Sequence, residues 1–194
     1  MIEINERTAL IDTDFLVHVS EIEWDYKTKV QTINGVFNEL QINVAVHPLV
    51  YKNEILPCNK TIEGFFNDGL VSRPMFEDFF GSNDEQRDYY AFVVQELHSR
   101  ITGSRDLLVG QDIFTFWKKK CSLGEVHSIA LCITCGCGMF LSDDKDSKDI
   151  ANKAHDYCPD TLKIYNRNDV MDKLGDKKHE IFENRSKRKA FVHK

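Results

Sequence analysis

Two apolar runs of strand length in this chain end abruptly in carboxylates. Ala9-Leu10-Ile11 leads into Asp12-Thr13-Asp14, and Gly138-Met139-Phe140-Leu141 leads into Ser142-Asp143-Asp144. Short continuous apolar runs of this kind suit strands buried on both faces, as in parallel sheets. Acids at the C-terminal tips of such strands lie on the carboxyl edge of the sheet, where open α/β sheets hold their ligands. This one feature fixes the class of fold, the direction of the strands and the edge that matters.

The rest of the chain alternates helical and strand patterns. Phe15 to Val19 opens a helix with Asp14 as its predicted N-cap. Val30, Ile33, Phe37 and Leu40 recur at spacings of three and four, which predicts a helix over 26–40. Gln41 to Val46 alternates polar and apolar and reads as a strand, which His47-Pro48 breaks. Pro48 suits a first helical position, so a helix is expected through Leu56, with Pro57 ending it. A helix is expected over 83–102, capped by Ser82 or Asn83, with Tyr89, Phe92, Val93, Leu97 and Ile101 on its apolar face. Further helices are expected over 112–120, from Ser122 to Cys135 with Gly136 in a left-handed terminal position, over 146–157 and over 169–174. Leu162 to Tyr165 reads as a last strand. Alternation of this kind points to an α/β fold with a mostly parallel sheet.

Composition sets the outer bounds. At 194 residues the chain is one domain, long enough to bury a core without disulfides or structural metal. No apolar run approaches a membrane span, and Met1 to Arg7 lacks the apolar stretch of a signal peptide. The expectation is a cytoplasmic protein whose six cysteines are reduced. A net charge of −6 argues against a uniformly nucleic-acid-binding surface, yet seven Lys or Arg against two Glu crowd into 177–194. That basic tail is either a solvated terminal helix or a nucleic-acid-contacting arm.

Four acids are the candidate site. Asp12 and Asp144 end two strands, Glu54 lies in the helix that leaves a third, and Glu125 lies in the first turn of the helix that leads into the Asp144 strand. In a parallel sheet all four approach one edge, where they repel one another and a hard divalent cation relieves the repulsion. Each also has a local structural reading. Asp12 suits a turn and Glu54 an exposed helix surface, while Glu125 ends the capping-box pattern Ser122-Leu123-Gly124-Glu125. Asp144 suits the cap of the following helix.

The motifs resemble the PIN-domain family of metal-dependent nucleases. Leu10-Ile11-Asp12-Thr13-Asp14-Phe15-Leu16 is similar to that family's opening strand, and Gly124-Glu125-Val126-His127-Ser128-Ile129-Ala130-Leu131 to its G-E-A-x-A-I-A-L helix. Phe140-Leu141-Ser142-Asp143-Asp144 is similar to its L-L-T-D-D strand end, and Lys163 to Val170 to its last strand and helix start. The resemblance implies a three-layer α/β/α fold over 1–176, with 57–120 as an enlarged helical middle and 177–194 as a basic tail. It implies a metal-dependent endoribonuclease that holds Mg²⁺ or Mn²⁺ on Asp12, Glu54, Glu125 and Asp144, with Thr13 and Ser142 as supporting hydroxyls. Likeness to VapC-type toxins implies an antitoxin partner as well as an RNA substrate. A non-catalytic PIN-fold scaffold and a DNA nuclease of the same superfamily are the alternatives. The chain departs from the pattern in three places. Asp14 stands where the family commonly has Asn, 71 positions separate Glu54 from Glu125, and residues 57–120 carry no family motif. Asp143 and Asp144 are competing candidates for one role, with the T-x-D register favouring Asp144.

Other residues admit two readings. Cys132, Cys135 and Cys137 have the spacing of a zinc knuckle without a distant second pair, so buried thiols are the expectation. His18, His47, His98 and His127 read as isolated side chains. Phe65, Phe66, Phe76, Phe79, Phe80, Tyr89, Tyr90 and Phe92 form either a subsidiary apolar cluster or a surface for a partner or homodimer.

Overall fold

The computed structural model describes residues 4–57, 60–153, 155–157 and 160–192. Strands β1 (Thr8–Ile11), β2 (Asn43–Ala45), β3 (Met139–Leu141) and β4 (Lys163–Tyr165) form one all-parallel sheet in the order β2-β1-β3-β4. After β1 the chain adds β2 on one side, then crosses to place β3 on the other. The carboxyl ends of β1 and β3 therefore flank the point where the strand order reverses, the crevice where such sheets bind ligands. Ile11 pairs with Leu141 in register, so Asp12 and Ser142 leave the sheet side by side.

All four residues of β1 are buried, as befits a central parallel strand. Alternate strand residues feed two separate cores. Ala9, Ile11, Val44 and Leu141 pack with α1 (Thr13–Ser20), α2 (Tyr26–Leu40), α4 (Lys60–Asn67) and α9 (Arg167–Leu174). Leu10, Ala45 and Phe140 pack with α5 (Phe76–Phe80), α6 (Asp84–Thr102), α7 (Leu123–Cys135) and α8 (Lys145–Lys153). Side chains alternate across a strand, so helices cover both faces of the sheet. Among the described residues no helix is long and apolar enough to cross a membrane.

Local chemistry sets the helix boundaries. Asp25 and Asn83 cap α2 and α6 by accepting the backbone N–H of Thr28 and Gln86, each at 3.0 Å. Asn166 and Asp169 cap α9 reciprocally, and Gly136 closes α7 with φ near 71°. The first helix is capped by Asp12 rather than Asp14, because the strand runs straight into it with no intervening turn. On α6, Val93 and Leu97 face inward and Ile101 packs against the core as expected, but Tyr90 and Val94 are buried in place of Tyr89 and Phe92, which are exposed.

Three other expectations change. Helix α3 (Pro48–Val50) does not run regularly to Leu56 but widens into a π-turn over Tyr51–Ile55, where the Leu56 N–H reaches the Tyr51 carbonyl at 2.9 Å. Residues 112–120 form turns instead of a helix. The Asp112 carboxylate captures the Phe114 N–H and the Thr115 hydroxyl, which competes with helical hydrogen bonding. The helix expected over 146–157 is described only as α8, with 155–157 in a turn and Ala154 outside the described residues.

The basic segment after Lys177 is not a loose arm. It forms α10 (Lys178–Ile181) and α11 (Arg185–Val192), and Phe182 and Phe191 are 1% exposed. Their rings meet at 5.2 Å, and Phe191 also meets Phe15 edge-on at 6.4 Å. Aromatic burial thus fixes a segment whose charge pattern alone describes a solvated tail. Phe191→Ala is expected to cost about 3–5 kcal/mol of stability in urea unfolding, whereas a neutral result would place α11 outside the core.

Candidate functional site

Four elements deliver the four acids. Asp12 leaves β1, and its N–H donates to the Leu141 carbonyl at 2.8 Å, which locks it beside β3. Its Oδ1 accepts the Thr13 N–H at 2.7 Å and so caps α1, while Oδ2 accepts the Ser142 hydroxyl at 3.2 Å. The Ser142 hydroxyl is itself held by the Ser147 hydroxyl at 2.9 Å and the Asp144 N–H at 3.1 Å. Thr13 donates its hydroxyl to Glu54 Oε2 at 2.7 Å, tying the π-turn to α1. Both hydroxyls expected to support the acids therefore touch one of them.

Glu54, Glu125 and Asp144 line one pocket of about 290 Å³. Asp12 lies beneath, only 5% exposed, within electrostatic reach of Glu54 and Glu125. Burial first, then the charges of Asp14, Glu125 and Glu54, push the Asp12 carboxyl well above the usual carboxylate range. Glu125 is pushed up to about 7, again by burial first, with the charges of Asp144 and Glu54 and a hydrogen bond to Asp144 adding to it. Asp14 is raised to about 6, chiefly by burial. These groups are acids held close enough that not all ionise comfortably together.

The local structural readings of the acids hold in part. Asp12 and Asp144 both cap helices, since Asp144 Oδ1 accepts the Asp146 N–H at 2.8 Å. The capping box before α7 does not form: Ser122 sits at φ 47° and makes no side-chain cap. Glu125 is thereby left facing the pocket. Asp143 turns away from it. Its carboxylate pairs with the buried Arg167, accepts the Arg167 N–H at 3.0 Å and meets His18 Nδ1 at 2.8 Å. Of the two neighbouring acids, Asp144 is the one that lines the pocket.

Gly124 allows Glu54 to pack close against the first turn of α7. A Cβ there would stand 3.2 Å from Glu54 Oε1 and 3.6 Å from the Trp117 ring, so a side chain would press the Glu54 carboxylate aside. The remaining wall is the loop Trp117-Lys118-Lys119-Lys120. Sequence reasoning did not single it out; the usable signal was a run of three lysines just before the Glu125 helix in a chain of net charge −6. Lys120 and Ser122 both adopt positive φ, 61° and 47°, at a cost of roughly 1–2 kcal/mol each for residues with a Cβ. Strain of this kind gathers at functional sites.

The donor set consists of carboxylate and hydroxyl oxygens, which suits Mg²⁺ or Mn²⁺ over softer metals. Among the described residues, no group of three or more His, Cys, Asp or Glu side chains is positioned to hold a metal ion as it stands. Each acid instead spends an oxygen on a protein donor or, for Glu125, on Asp144. The chemistry of the set fits a divalent cation, while closing around one requires side-chain rotation.

The remaining motifs resolve differently. Cys132 and Cys137 are buried, and burial pushes the Cys135 thiol up to about 12, so it stays protonated; Cys58 and Cys158 lie outside the described residues. Among the described residues, His98 is isolated as expected, with neither ring nitrogen hydrogen-bonded, but His18, His47 and His127 are not. Besides the His18 contact with Asp143, His47 Nε2 and His127 Nδ1 both meet the Tyr90 hydroxyl, at 2.9 and 2.6 Å. Of the aromatic run, Phe65 and Phe66 belong to one core and Phe76, Phe79, Phe80 and Tyr90 to the other.

No protein-family model matches this chain, and no curated protein or solved structure matches it significantly.

The raised Glu125 pKa has a measurable consequence. A carboxyl that titrates near 7 when folded, against about 4.5 when unfolded, favours folding at low pH and loses that contribution as pH rises through 7. The buried His47 and His127, whose pKa values burial lowers, work in the opposite sense at acid pH. The difference between Glu125→Gln and the parent isolates the carboxyl. In chelator, the variant's stability relative to the parent is expected to climb between about pH 4.5 and about 7 and then level off. A difference independent of pH in thermal melts would show that Glu125 titrates alike in both states.

Proposed function

We propose that this protein is a PIN-like, three-layer α/β/α nuclease that hydrolyses RNA phosphodiester bonds with carboxylate-bound Mg²⁺ or Mn²⁺. The observation that carries the reading is the convergence of Asp12, Glu54, Glu125 and Asp144, from four separate elements, on the crevice at the switch point of the sheet. A structural network has no need to bury Asp12 and Glu125 among other acids, where burial and then neighbouring charge raise both carboxyls beside a pocket open to ligand.

Each part of the site has a task under this reading. Asp12, Glu54, Glu125 and Asp144 would hold the cation. Bound there, Mg²⁺ or Mn²⁺ would supply Lewis acidity and would lower the pKa of water for phosphodiester hydrolysis. Thr13 and Ser142 fix the orientation of Glu54 and Asp12 by donating hydroxyl protons to them. Lys118, Lys119 and Lys120 on the pocket wall offset the acidic field and give an anionic backbone a cationic approach. Trp117 and the first turn of α7 form a wall that limits solvent on one side. No side chain need form a covalent intermediate. The protein would act in the cytoplasm, and as a toxin its pocket would be covered by an antitoxin segment.

One observation favours a rival. Asp12 and Asp144 both cap helices, as they would in a non-catalytic scaffold of the same fold. Asparagine caps as well as aspartate, so Asp12→Asn and Asp144→Asn separate the two roles. In chelator both variants are expected to be as stable as the parent or slightly more so, because repulsion is relieved. Both are expected to lose Mg²⁺- or Mn²⁺-dependent cleavage of single-stranded RNA by about a hundredfold or more. A parent with no metal-stimulated cleavage would leave the scaffold.

A further inference from the structure

Beside the acid pocket lies a second, larger cavity of about 520 Å³, a size typical of sites that bury small organic ligands. Tyr51, Phe76 and Phe114 give it aromatic walls, Lys52 and Arg73 stand at its rim, and Met75 is 62% exposed over it. The Arg73 guanidinium lies 5.7 Å from the centre of the Tyr51 ring and donates to the Tyr51 hydroxyl at 2.8 Å. Phe76 and Phe114 meet edge-on at 5.0 Å.

The two cavities take different residues from the same two segments. The π-turn Tyr51–Ile55 sends Tyr51 and Lys52 to the larger cavity and Glu54 to the acid pocket. The segment 114–118 sends Phe114 and Thr115 to the larger cavity and Trp117 and Lys118 to the acid pocket. A polymer laid across these two segments would present one phosphate to the acids and an adjoining unit to the aromatic groove.

We propose that this groove holds an unstacked base of single-stranded RNA next to the phosphate in the acid pocket, with Tyr51 and Arg73 as its stacking platform. The inference rests on the nuclease reading for the polymer's identity. Its own support is the pairing of flat aromatic and guanidinium surfaces with rim cations, which matches a base on an anionic backbone.

The test is equilibrium binding of a short fluorescent single-stranded RNA to the full chain in chelator, compared with an abasic chain of the same length. Both probes carry the same charge, so their affinity ratio reports the bases alone. The parent is expected to favour the base-bearing chain by about tenfold. Tyr51→Leu is expected to bring the ratio close to one, Tyr51→Phe to keep it, and Arg73→Gln to lower it. Arg73 is exposed, so its variant stays readable if Tyr51→Leu is poorly folded. A parent ratio of one, or a ratio indifferent to both Tyr51→Leu and Arg73→Gln, overturns the proposal. So does a Leu56→Glu variant that leaves the ratio intact but abolishes self-association, which would assign the groove to a second copy. Metal-dependent cleavage is scored separately. Discrimination without cleavage keeps the groove and removes the nuclease, and cleavage without discrimination does the reverse.

Discussion

Asp12 is the residue on which the rest of the site depends. A carboxylate that is 5% exposed, at the end of a central strand and beside three other acids, is an unfavourable object. It persists because β1 is held on both sides by β2 and β3, and because two donors reach it, the Thr13 N–H and the Ser142 hydroxyl. The same carboxylate caps α1 and lies within electrostatic reach of Glu54 and Glu125, so the strand-to-helix junction and the acids are coupled. Any arrangement that moved Asp12 to solvent would break the β1–β3 edge bond or uncap the helix.

Irregular backbone surrounds that fixed point. The π-turn that carries Glu54 and the positive φ values at Lys120 and Ser122 lie on opposite sides of one pocket. Neither device stabilises the fold by itself. A regular helix through Leu56 would aim Glu54 elsewhere, because widening to a π-turn rotates the residues that follow it. A side-chain cap at Ser122 would invite Glu125 to fold back on its own helix terminus, as the sequence pattern implies. The two apolar cores, one on each face of the sheet, supply the stability that these departures draw down.

That division explains what was legible in the sequence. The strands, the helices α2, α6 and α7, and the placement of Asp12 and Asp144 at one edge follow from periodicity and caps, which act over a few residues. On α6 the stripe holds at Val93, Leu97 and Ile101 and differs at its N-terminal end, where Tyr89 and Tyr90 are equivalent in pattern and differ in what lies opposite them. The burial of Phe182 and Phe191 is a tertiary effect: seven positive charges dominate the local reading, and Phe15 and Trp24, distant in sequence, decide the outcome. The Lys118–Lys120 wall and the failed capping box were also hidden. The helix expected over 112–120 is lost to local capture of Phe114 and Thr115 by Asp112, while the cap expected at Ser122 is absent because Ser122 sits at positive φ in the loop that lines the pocket. Between Asp143 and Asp144 the sequence offers only the T-x-D register, whereas the structure separates them through Arg167 from α9 and His18 from α1, which both hold Asp143.

The relative position of Glu54 and Glu125 is set by a neutral network that carries no charge into the site. His47 Nδ1 accepts the Leu49 N–H at 3.1 Å, so its Nε2 bears the proton and donates to the Tyr90 hydroxyl. Tyr90 in turn donates to His127 Nδ1. Burial holds both imidazoles neutral: His47 is pushed well below its ordinary value, and His127 down to about 3. The chain of bonds runs from the N-cap of α3, which leads into the Glu54 turn, through α6, to the residue two positions after Glu125 on α7. Trp117 lies nearly parallel to the His127 ring at 6.2 Å and forms a wall of the acid pocket. A charged tether in the same place would couple the acids to a second titration. A neutral one fixes their geometry and leaves the electrostatics of the pocket to the acids and the lysine loop.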